Sequence, residues 1–321
     1  MNKTIINIDS TSLGKSSCIL NFYRTVVGSI NPETNQSEGG YREKAMNPSM
    51  VYGIGLHKFI DVMYKTKGHI PTARTEANKL FNEIPKYNDE KKLWLSDIKH
   101  FQVTCYNVWT EYVETDSEFQ VIEMDGQAAT EKTFAIKYWE DDYTIIYLCG
   151  TIDTIGKIAG GCYCIRDWKS TSAWDNVGYF KQYELSRQLR IYTLALKLMA
   201  EREPESVLGK IGAQQTGACI DAVFLKSSPA ETVYKRSEIY VYKQKDLDAF
   251  RATLDETCLK LSGAVRTGYI PKEGIINGSC DGKWGKCSFW NCCAKDDNIA
   301  EILLDRDFKR VLYNPLAFNE V

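Results

Sequence analysis

Residues 150–169 read GTIDTIGKIAGGCYCIRDWK, with two apolar runs on either side of the pair Gly160-Gly161. Short β-rich runs that meet at a glycine pair predict a β-hairpin. Alternate residues of a strand share a face, so Asp167 and Lys169 project together, and the hairpin brings Asp153 beside Asp167. Two carboxylates with an ammonium between them predict an oxygen-rich site for Mg²⁺ or Mn²⁺. A cross-strand salt bridge at an exposed strand end is the simpler alternative for these three residues taken alone.

The segments on both sides of this hairpin predict a sheet flanked by helices. Apolar residues at helical spacing predict helices over 49–64, 91–113, 185–199 and 247–266; the third carries the stripe Leu185, Leu189, Tyr192, Leu196 and Met199. Runs rich in β-branched and aromatic residues predict strands over 131–136, 143–154, 162–169, 218–226 and 238–242. The polar stretch 31–47 predicts a loop. The predicted fold class is α/β.

Composition describes an ordinary globular protein. The 321 residues are 44% hydrophobic and 26% charged, which is enough apolar material for a sizeable core. The chain lacks an apolar run of membrane-span length, and its N-terminus reaches a charge too early for a signal peptide. We therefore expect a soluble, cytoplasmic protein without membrane partners. A net charge of −2 argues against a protein that coats DNA with its whole surface, although it leaves room for a local basic channel.

The 11 cysteines fall into two groups. An odd number in a chain without a secretory signal argues against a disulfide framework. Six stand singly in apolar or amphipathic stretches and are predicted to be small buried hydrophobes; they are Cys105, Cys149, Cys162, Cys164, Cys219 and Cys258. Four crowd into fourteen residues and are predicted to bind a metal; they are Cys280, Cys287, Cys292 and Cys293.

Four further residues are candidates for the same site, and each has an ordinary explanation when taken alone. His57 lies on the flank of the predicted 49–64 helix, where a core histidine would also fit. Gln188 and Tyr192 are four residues apart and share a helical face, as packing residues also do. Glu131 opens a predicted strand, where simple solvation is the alternative.

Taken together, these motifs resemble the RecB-type branch of the PD-(D/E)XK nucleases. That branch includes the nuclease domains of RecB and AddB, CRISPR-associated nucleases of prespacer processing, and stand-alone RecB-like nucleases of phages. The motifs are His57, Glu131, Gly150-x-x-Asp153, Asp167-x-Lys169 and Gln188-x-x-x-Tyr192, in that order. The resemblance covers residues 12–295. It departs from the family at Thr151-Ile152, where the family's first motif has a proline before the aspartate.

The resemblance implies a single nuclease domain over residues 1–321 with a restriction-endonuclease-like core, a mixed central sheet flanked by helices. A mainly helical part would occupy 12–118, the catalytic core 119–270, and a cysteine-rich segment 271–295.

The resemblance also implies the chemistry of the site. His57, Asp153, Asp167 and the Trp168 carbonyl would hold one or two Mg²⁺ or Mn²⁺ ions. Lys169 would orient or deprotonate the attacking water, or stabilise the pentacovalent phosphate. Gln188 and Tyr192 would position the DNA strand or the lysine. Glu131 would support the metal ligands without binding the metal itself.

The implied activity is that of a metal-dependent deoxyribonuclease. It would most often be an exonuclease on DNA ends or single strands in recombination, repair or DNA processing, with a helicase or recombination protein as a possible partner. Two alternatives stay open, which are a catalytically weak DNA-end-binding scaffold subunit and a thiol–metal protein of unrelated function.

Some members of this branch carry a 4Fe–4S cluster held by one cysteine before the nuclease core and three near the C-terminus. The resemblance therefore implies a cluster on Cys18, Cys280, Cys287 and Cys293. The C-terminal triplet has six residues in its first gap, where the family usually has two. Adjacent Cys292 is the alternative fourth ligand, and a structural Zn²⁺ is the alternative metal.

Overall fold

The structure is a computed structural model that describes residues 2–44, 48–81, 94–173, 176–214, 217–282 and 285–312. The chain forms two compact units, each assembled from separate segments. The first contains Met1–Lys44, Phe134–Gly150 and Lys243–Val321, and the second contains Ala45–Thr133 and Thr151–Tyr242.

The helices are α1 (Ser10–Leu13), α2 (Ile19–Val26), α3 (Pro48–Lys65), α4 (Ile70–Phe81), α5 (Ile98–Asn107), α6 (Asn176–Lys181), α7 (Arg187–Arg202), α8 (Val207–Ala213), α9 (Gln244–Thr267), α10 (Glu273–Asn277), α11 (Trp290–Cys293) and α12 (Asp297–Asp307). A π-helical segment, Val108–Val113, continues α5, and Pro229–Glu231 is a 3₁₀ turn. Within the described residues, no helix is long and apolar enough to cross a bilayer.

The strands are β1 (Thr4–Ile8), β2 (Gly40–Glu43), β3 (Phe119–Val121), β4 (Glu123–Met124), β5 (Gln127–Ala128), β6 (Thr130–Glu140), β7 (Thr144–Ile158), β8 (Tyr163–Thr171), β9 (Gly217–Phe224), β10 (Val233–Arg236), β11 (Asp281–Gly282), β12 (Gly285–Lys286) and β13 (Phe308–Val311).

The second unit is built on a mixed sheet. The end of β7 pairs antiparallel with both β8 and β3, β8 pairs parallel with β9, and β9 pairs antiparallel with β10. Helices α3 and α7 both pack against β8. The predicted α/β class, a mixed sheet flanked by helices, is confirmed.

One face of β8 carries a buried ionic network. Arg166 is fully buried and donates to Asp221 at 3.3 Å, to Asp116 at 3.0 Å and to the Tyr64 hydroxyl at 2.6 Å. Arg236 on β10 completes it by donating to Asp221 at 2.8 Å. Two guanidinium groups thus face two carboxylates, and the cost of burying each charge is offset by its partners. Because side chains alternate along the strand, Asp167 and Lys169 are left for the opposite face.

The first unit contains a separate small core. β1 pairs parallel with the start of β7, from Thr4 opposite Thr144 to Ile8 opposite Leu148. β2 pairs antiparallel with β13. Beside this ladder lies an apolar cluster of buried residues, which are Tyr41, Phe289, Cys292, Ala300, Leu304 and Phe308. This core packs the C-terminal cysteine segment next to β2.

Most predicted elements are present. Helices predicted over 49–64 and 247–266 correspond to α3 and α9, and the strands predicted over 131–136, 143–154, 162–169 and 218–226 correspond to β6, β7, β8 and β9. The predicted 91–113 helix begins at Ile98, after the Asp97 side chain accepts a hydrogen bond from the Lys99 N–H. Residues 91–93 of that prediction, and 45–47 of the predicted loop, lie outside the described residues.

Four predictions are wrong, each for a local reason. The 31–47 loop contains β2, whose partner strand lies at the other end of the chain. Residues 238–242 form only an isolated bridge at Tyr240, and the strand is β10 instead. Leu185 precedes its helix and is 74% exposed, because Ser186 caps α7. Cys162 is exposed because it lies at the hairpin turn.

Candidate active site

The hairpin of β7 and β8 places two carboxylates side by side. Thr154 lies opposite Arg166 at the end of the ladder, so Asp153 and Asp167 come one position beyond it. The Trp168 N–H donates to Asp153 Oδ2 at 2.7 Å, which fixes the position of that carboxylate. The pairing of Asp153 with Asp167 that the sequence predicts is therefore present.

His57, from the middle of α3, closes one side of the site. Its Nε2 lies 2.9 Å from the Trp168 carbonyl oxygen, and its Nδ1 lies 3.3 Å from Asp153 Oδ2. Burial and the nearby Lys169 ammonium lower the pKa of His57 to about 4, so the imidazole is neutral at pH 7. A neutral imidazole has one N–H, and the carbonyl can only accept. The proton therefore belongs on Nε2, and the Nδ1 lone pair faces a carboxylate oxygen. Two acceptors at this distance require a cation or a proton between them.

Glu131 brings a third ligand atom to the same point. Single ligand atoms of His57, Glu131 and Asp153 all lie within 4.8 Å of one another. Burial raises the pKa of Glu131 well above its usual value, and the neighbouring carboxylates of Asp153 and Asp61 raise it further. The backbone of Glu131 has a φ of 47°, a region that costs free energy for a residue with a side chain. This backbone strain accompanies a cluster of mutually repelling carboxylates.

Asp167 is fully buried and only partly neutralised. Its Oδ2 atom forms an ion pair with the Lys169 ammonium, while Oδ1 has no hydrogen-bond partner among the described residues. Burial raises the pKa of Asp167 to about 6, even though the Lys169 charge acts in the opposite direction. A buried acceptor without a partner destabilises the folded chain unless a ligand satisfies it. Hard divalent cations bind carboxylate oxygens, so a divalent cation would satisfy the Oδ1 atom of Asp167.

Gln188 and Tyr192 complete the site from α7. The Gln188 Nε2 donates to the Tyr192 hydroxyl at 2.7 Å. Burial raises the pKa of Tyr192 well above its usual value, and the charges of Asp153 and Asp167 add to this. The structure thus gathers every candidate of the predicted catalytic site in the second unit; they are His57, Glu131, Asp153, Asp167, Trp168, Lys169, Gln188 and Tyr192.

Two tyrosines beside the site escaped sequence reasoning. The hydroxyls of Tyr179, on α6, and Tyr183, just after it, lie 2.9 Å apart. Burial raises the pKa of Tyr183 to about 12, and the Asp167 charge contributes to this. Both rings are half-buried next to the lysine and aspartate of β8. The signal was available in the sequence GYFKQY over residues 178–183, a dense aromatic run between the Asp-x-Lys motif and the next helix.

The candidate cysteine cluster, defined as Cys18, Cys280, Cys287 and Cys293, lies in the first unit. Burial raises the pKa of Cys280, and the other three thiols raise it further. A Cβ on Gly274 would lie 2.8 Å from Cys280 Sγ and 3.2 Å from Cys18 Cβ, so a glycine is needed where the N-terminal and C-terminal thiols meet.

Within the described part of the chain, no three cysteine sulfurs come within 4.8 Å of one another. A tetrahedral zinc site with Zn–S bonds of about 2.3 Å would bring its sulfurs to about 3.8 Å. Cys292 is only 2% exposed and packs in the apolar cluster of the first unit.

Comparisons with known proteins give one family match. A family model described as the PD-(D/E)XK nuclease superfamily matches residues 16–294. None of the curated proteins compared with the chain matches it significantly. A solved structure titled "Crystal structure of SSO0001" aligns with 64% of this chain and 74% of its own, at 10% sequence identity and a TM-score of 0.27.

Proposed function

The chain belongs to the PD-(D/E)XK nuclease superfamily, and from that premise we propose that it is an Mg²⁺- or Mn²⁺-dependent deoxyribonuclease that degrades DNA from ends or along single strands. One observation carries the proposal. His57 Nδ1 faces Asp153 Oδ2 at 3.3 Å, and Asp167 Oδ1, which has no hydrogen-bond partner among the described residues, lies on the adjoining strand. A cation or a proton must lie between such acceptor atoms, and carboxylate oxygens are ligands that suit Mg²⁺ and Mn²⁺.

The ligands that we propose are His57, Asp153 and Asp167, with the carboxylate of Glu131 close enough to join them. A divalent cation in such a site lowers the pKa of a bound water and neutralises charge on the scissile phosphate. The Trp168 carbonyl, which the sequence also suggests as a ligand, accepts the His57 hydrogen bond and in this way orients the imidazole toward Asp153.

Lys169 is proposed to act as a cation. Burial alone would lower its pKa, but the charges of Asp167 and Asp153 outweigh burial and raise it. An ammonium that keeps its proton can orient the attacking water and stabilise negative charge on the phosphate, and it is a poor general base. Of the roles open to Lys169 from sequence, the electrostatic role is the one supported by its surroundings. Gln188 and Tyr192 would position the DNA strand or the lysine from α7.

The substrate that we propose is a DNA end or a single strand, by analogy with the RecB-type branch. Such a nuclease would act in recombination, repair or DNA processing in the cytoplasm. A helicase or recombination protein would be its partner wherever a duplex must be unwound.

We further propose that the cysteine cluster holds a 4Fe–4S cluster. The support is that Cys280 and Cys287 are electrostatic neighbours of Cys18 and Cys293, and that Gly274 leaves room for the thiols. A structural Zn²⁺ on the same four thiolates is the alternative, and metal analysis of anaerobically purified protein distinguishes the two. The role of the 4Fe–4S cluster would be structural, because it ties α2 to the C-terminal cysteine segment of the same unit.

The test is cleavage of end-labelled DNA by anaerobically purified protein. Linear single strands with 5′ or 3′ labels should be degraded in Mn²⁺, while a closed circular single strand of the same sequence stays intact. Cutting of the circle would contradict the exonuclease proposal while supporting a nuclease. Tight binding of linear ends without cleavage in either metal would instead support a DNA-end-binding scaffold.

A further inference from the structure

Two side chains of α2 donate hydrogen bonds to sulfurs of the cysteine cluster. The Asn21 amide Nδ2 lies 3.3 Å from Cys287 Sγ, and the Arg24 guanidinium Nη1 lies 3.3 Å from Cys293 Sγ. The two donors are three residues apart on the helix, so they share one side of it. Cys18 occupies the N-cap position of the same helix without a side-chain capping hydrogen bond. The segment from Cys18 through α2 therefore provides one candidate ligand and the hydrogen-bond donors to the sulfurs of two other candidate ligands.

Both donors are held in place by further contacts. The Thr25 hydroxyl donates to Asn21 Oδ1 at 3.4 Å, so the amide oxygen is used there and the NH₂ group is left for the sulfur. The Arg24 guanidinium lies 5.5 Å from the centre of the Phe289 ring, which itself stacks on Phe308 at 4.7 Å. Neither donor has to be ordered when a thiolate forms, so little conformational entropy is lost.

An N–H donor has a definite effect on a metal-bound sulfur. Thiolates are the form that binds iron, and N–H groups and positive charge favour that form over the neutral thiol. Hydrogen bonds to the sulfurs also withdraw electron density, which makes the oxidised cluster easier to reduce.

We infer that Asn21 and Arg24 are positioning residues of the iron–sulfur site, which hold the Cys287 and Cys293 sulfurs and set the reduction potential of the cluster. This inference rests on the cluster proposed above. Of the adjacent cysteines, Cys293 receives the Arg24 hydrogen bond, and both contact the same apolar cluster. Asn21 contributes a neutral donor and Arg24 a charged one, so Arg24 should have the larger effect.

The test compares cluster-loaded variants with matched controls. Arg24→Met and Asn21→Leu remove the donors at nearly constant volume, and Arg24→Lys keeps the charge. Lys15→Met is the control, because Lys15 acts on Cys287 through its charge. The readouts are the midpoint potential from an anaerobic spectroscopic titration and the half-life of the visible absorbance in air. We expect a more negative potential and a shorter half-life in the order Arg24→Met, Asn21→Leu, Lys15→Met, with Arg24→Lys close to the wild type.

Several results would overturn the inference. An unchanged potential and half-life in loaded Arg24→Met would do so, as would equal shifts in Arg24→Met and Lys15→Met. If Arg24→Met does not fold, a potential in Asn21→Leu equal to that of the wild type decides against the inference. Failure of the cluster itself looks different, since the wild-type chain would then carry stoichiometric zinc, or no metal, after anaerobic purification. That result would overturn both the cluster and this inference, and it would leave the nuclease proposal standing.

Discussion

Asp167→Asn is expected to stabilise the metal-free protein while it abolishes cleavage. The Asp167 carboxylate is fully buried, and its Oδ1 atom has no hydrogen-bond partner within the described residues. Burial raises its pKa to about 6 from 3.8. An asparagine amide has nearly the shape of the neutral carboxyl group and carries no charge. The substitution therefore removes an unfavourable buried charge along with a proposed metal ligand.

The magnitude follows from the pKa shift. Because folding raises the pKa of Asp167, the penalty for ionisation is absent below pH 3.8 and complete above pH 6. A shift of about two units at about 1.4 kcal/mol each corresponds to about 3 kcal/mol at pH 8. At pH 5 the folded carboxyl group is mostly protonated, and the penalty falls to about half. In the variant Lys169 loses its ion-pair partner, so about 3 kcal/mol is the upper value.

The assay is urea unfolding of wild type and Asp167→Asn at pH 8 and pH 5, with and without Mg²⁺. Without metal, the variant should be more stable at pH 8, and the difference should shrink at pH 5. Mg²⁺ should stabilise only the wild type. The matched control is Asp221→Asn, because Asp221 is equally buried but binds two guanidinium groups; we expect it to lose about 3–5 kcal/mol. An Asp167→Asn variant that is less stable than the wild type at pH 8 would refute the reasoning.

Four further substitutions test the remaining proposals. His57→Gln should raise the Mn²⁺ concentration needed for half-maximal cleavage at least about ten-fold, because Nδ1 is a proposed ligand, and it should change the melting temperature little. A lower melting temperature, with an equal loss of cleavage at all metal concentrations, would indicate a core histidine. Tyr192→Phe should reduce cleavage without loss of stability, since only the hydroxyl bonded to Gln188 disappears; an active variant would remove Tyr192 from the site. Cys18→Ser should lose the iron measured after anaerobic purification, whereas Cys292→Ser should keep it, and the opposite outcome would favour Cys292 as a ligand.

The features that sequence predicted best are those fixed by local periodicity. The β7–β8 hairpin follows from a glycine pair between two β-rich runs, and the two-residue period of a strand places Asp167 and Lys169 on one face. Asp153 then falls beside Asp167 without any knowledge of the rest of the fold. Helices α3 and α9 follow from apolar spacing in the same way.

The features that sequence could not predict depend on distant partners. β2 is a strand because β13 pairs with it, and no pattern within 31–47 shows that partner. The strand in this region is β10 and not 238–242. Its Arg236 forms an ion pair with Asp221 on β9, a contact between distant residues that the local sequence pattern does not show. The close approach of His57 to Asp153 and the positive φ of Glu131 likewise require the packed structure.

The most direct test of the central claim is single-turnover cleavage of a labelled DNA single strand across a Mn²⁺ titration, for wild type and Lys169→Met. Wild-type cleavage should require the metal and saturate with it. Lys169→Met should bind the same DNA and lose cleavage by at least about two orders of magnitude, because it removes the cation proposed to stabilise charge on the scissile phosphate. Cleavage by Lys169→Met at the wild-type rate, or wild-type cleavage that persists after the metal is removed, would contradict the account.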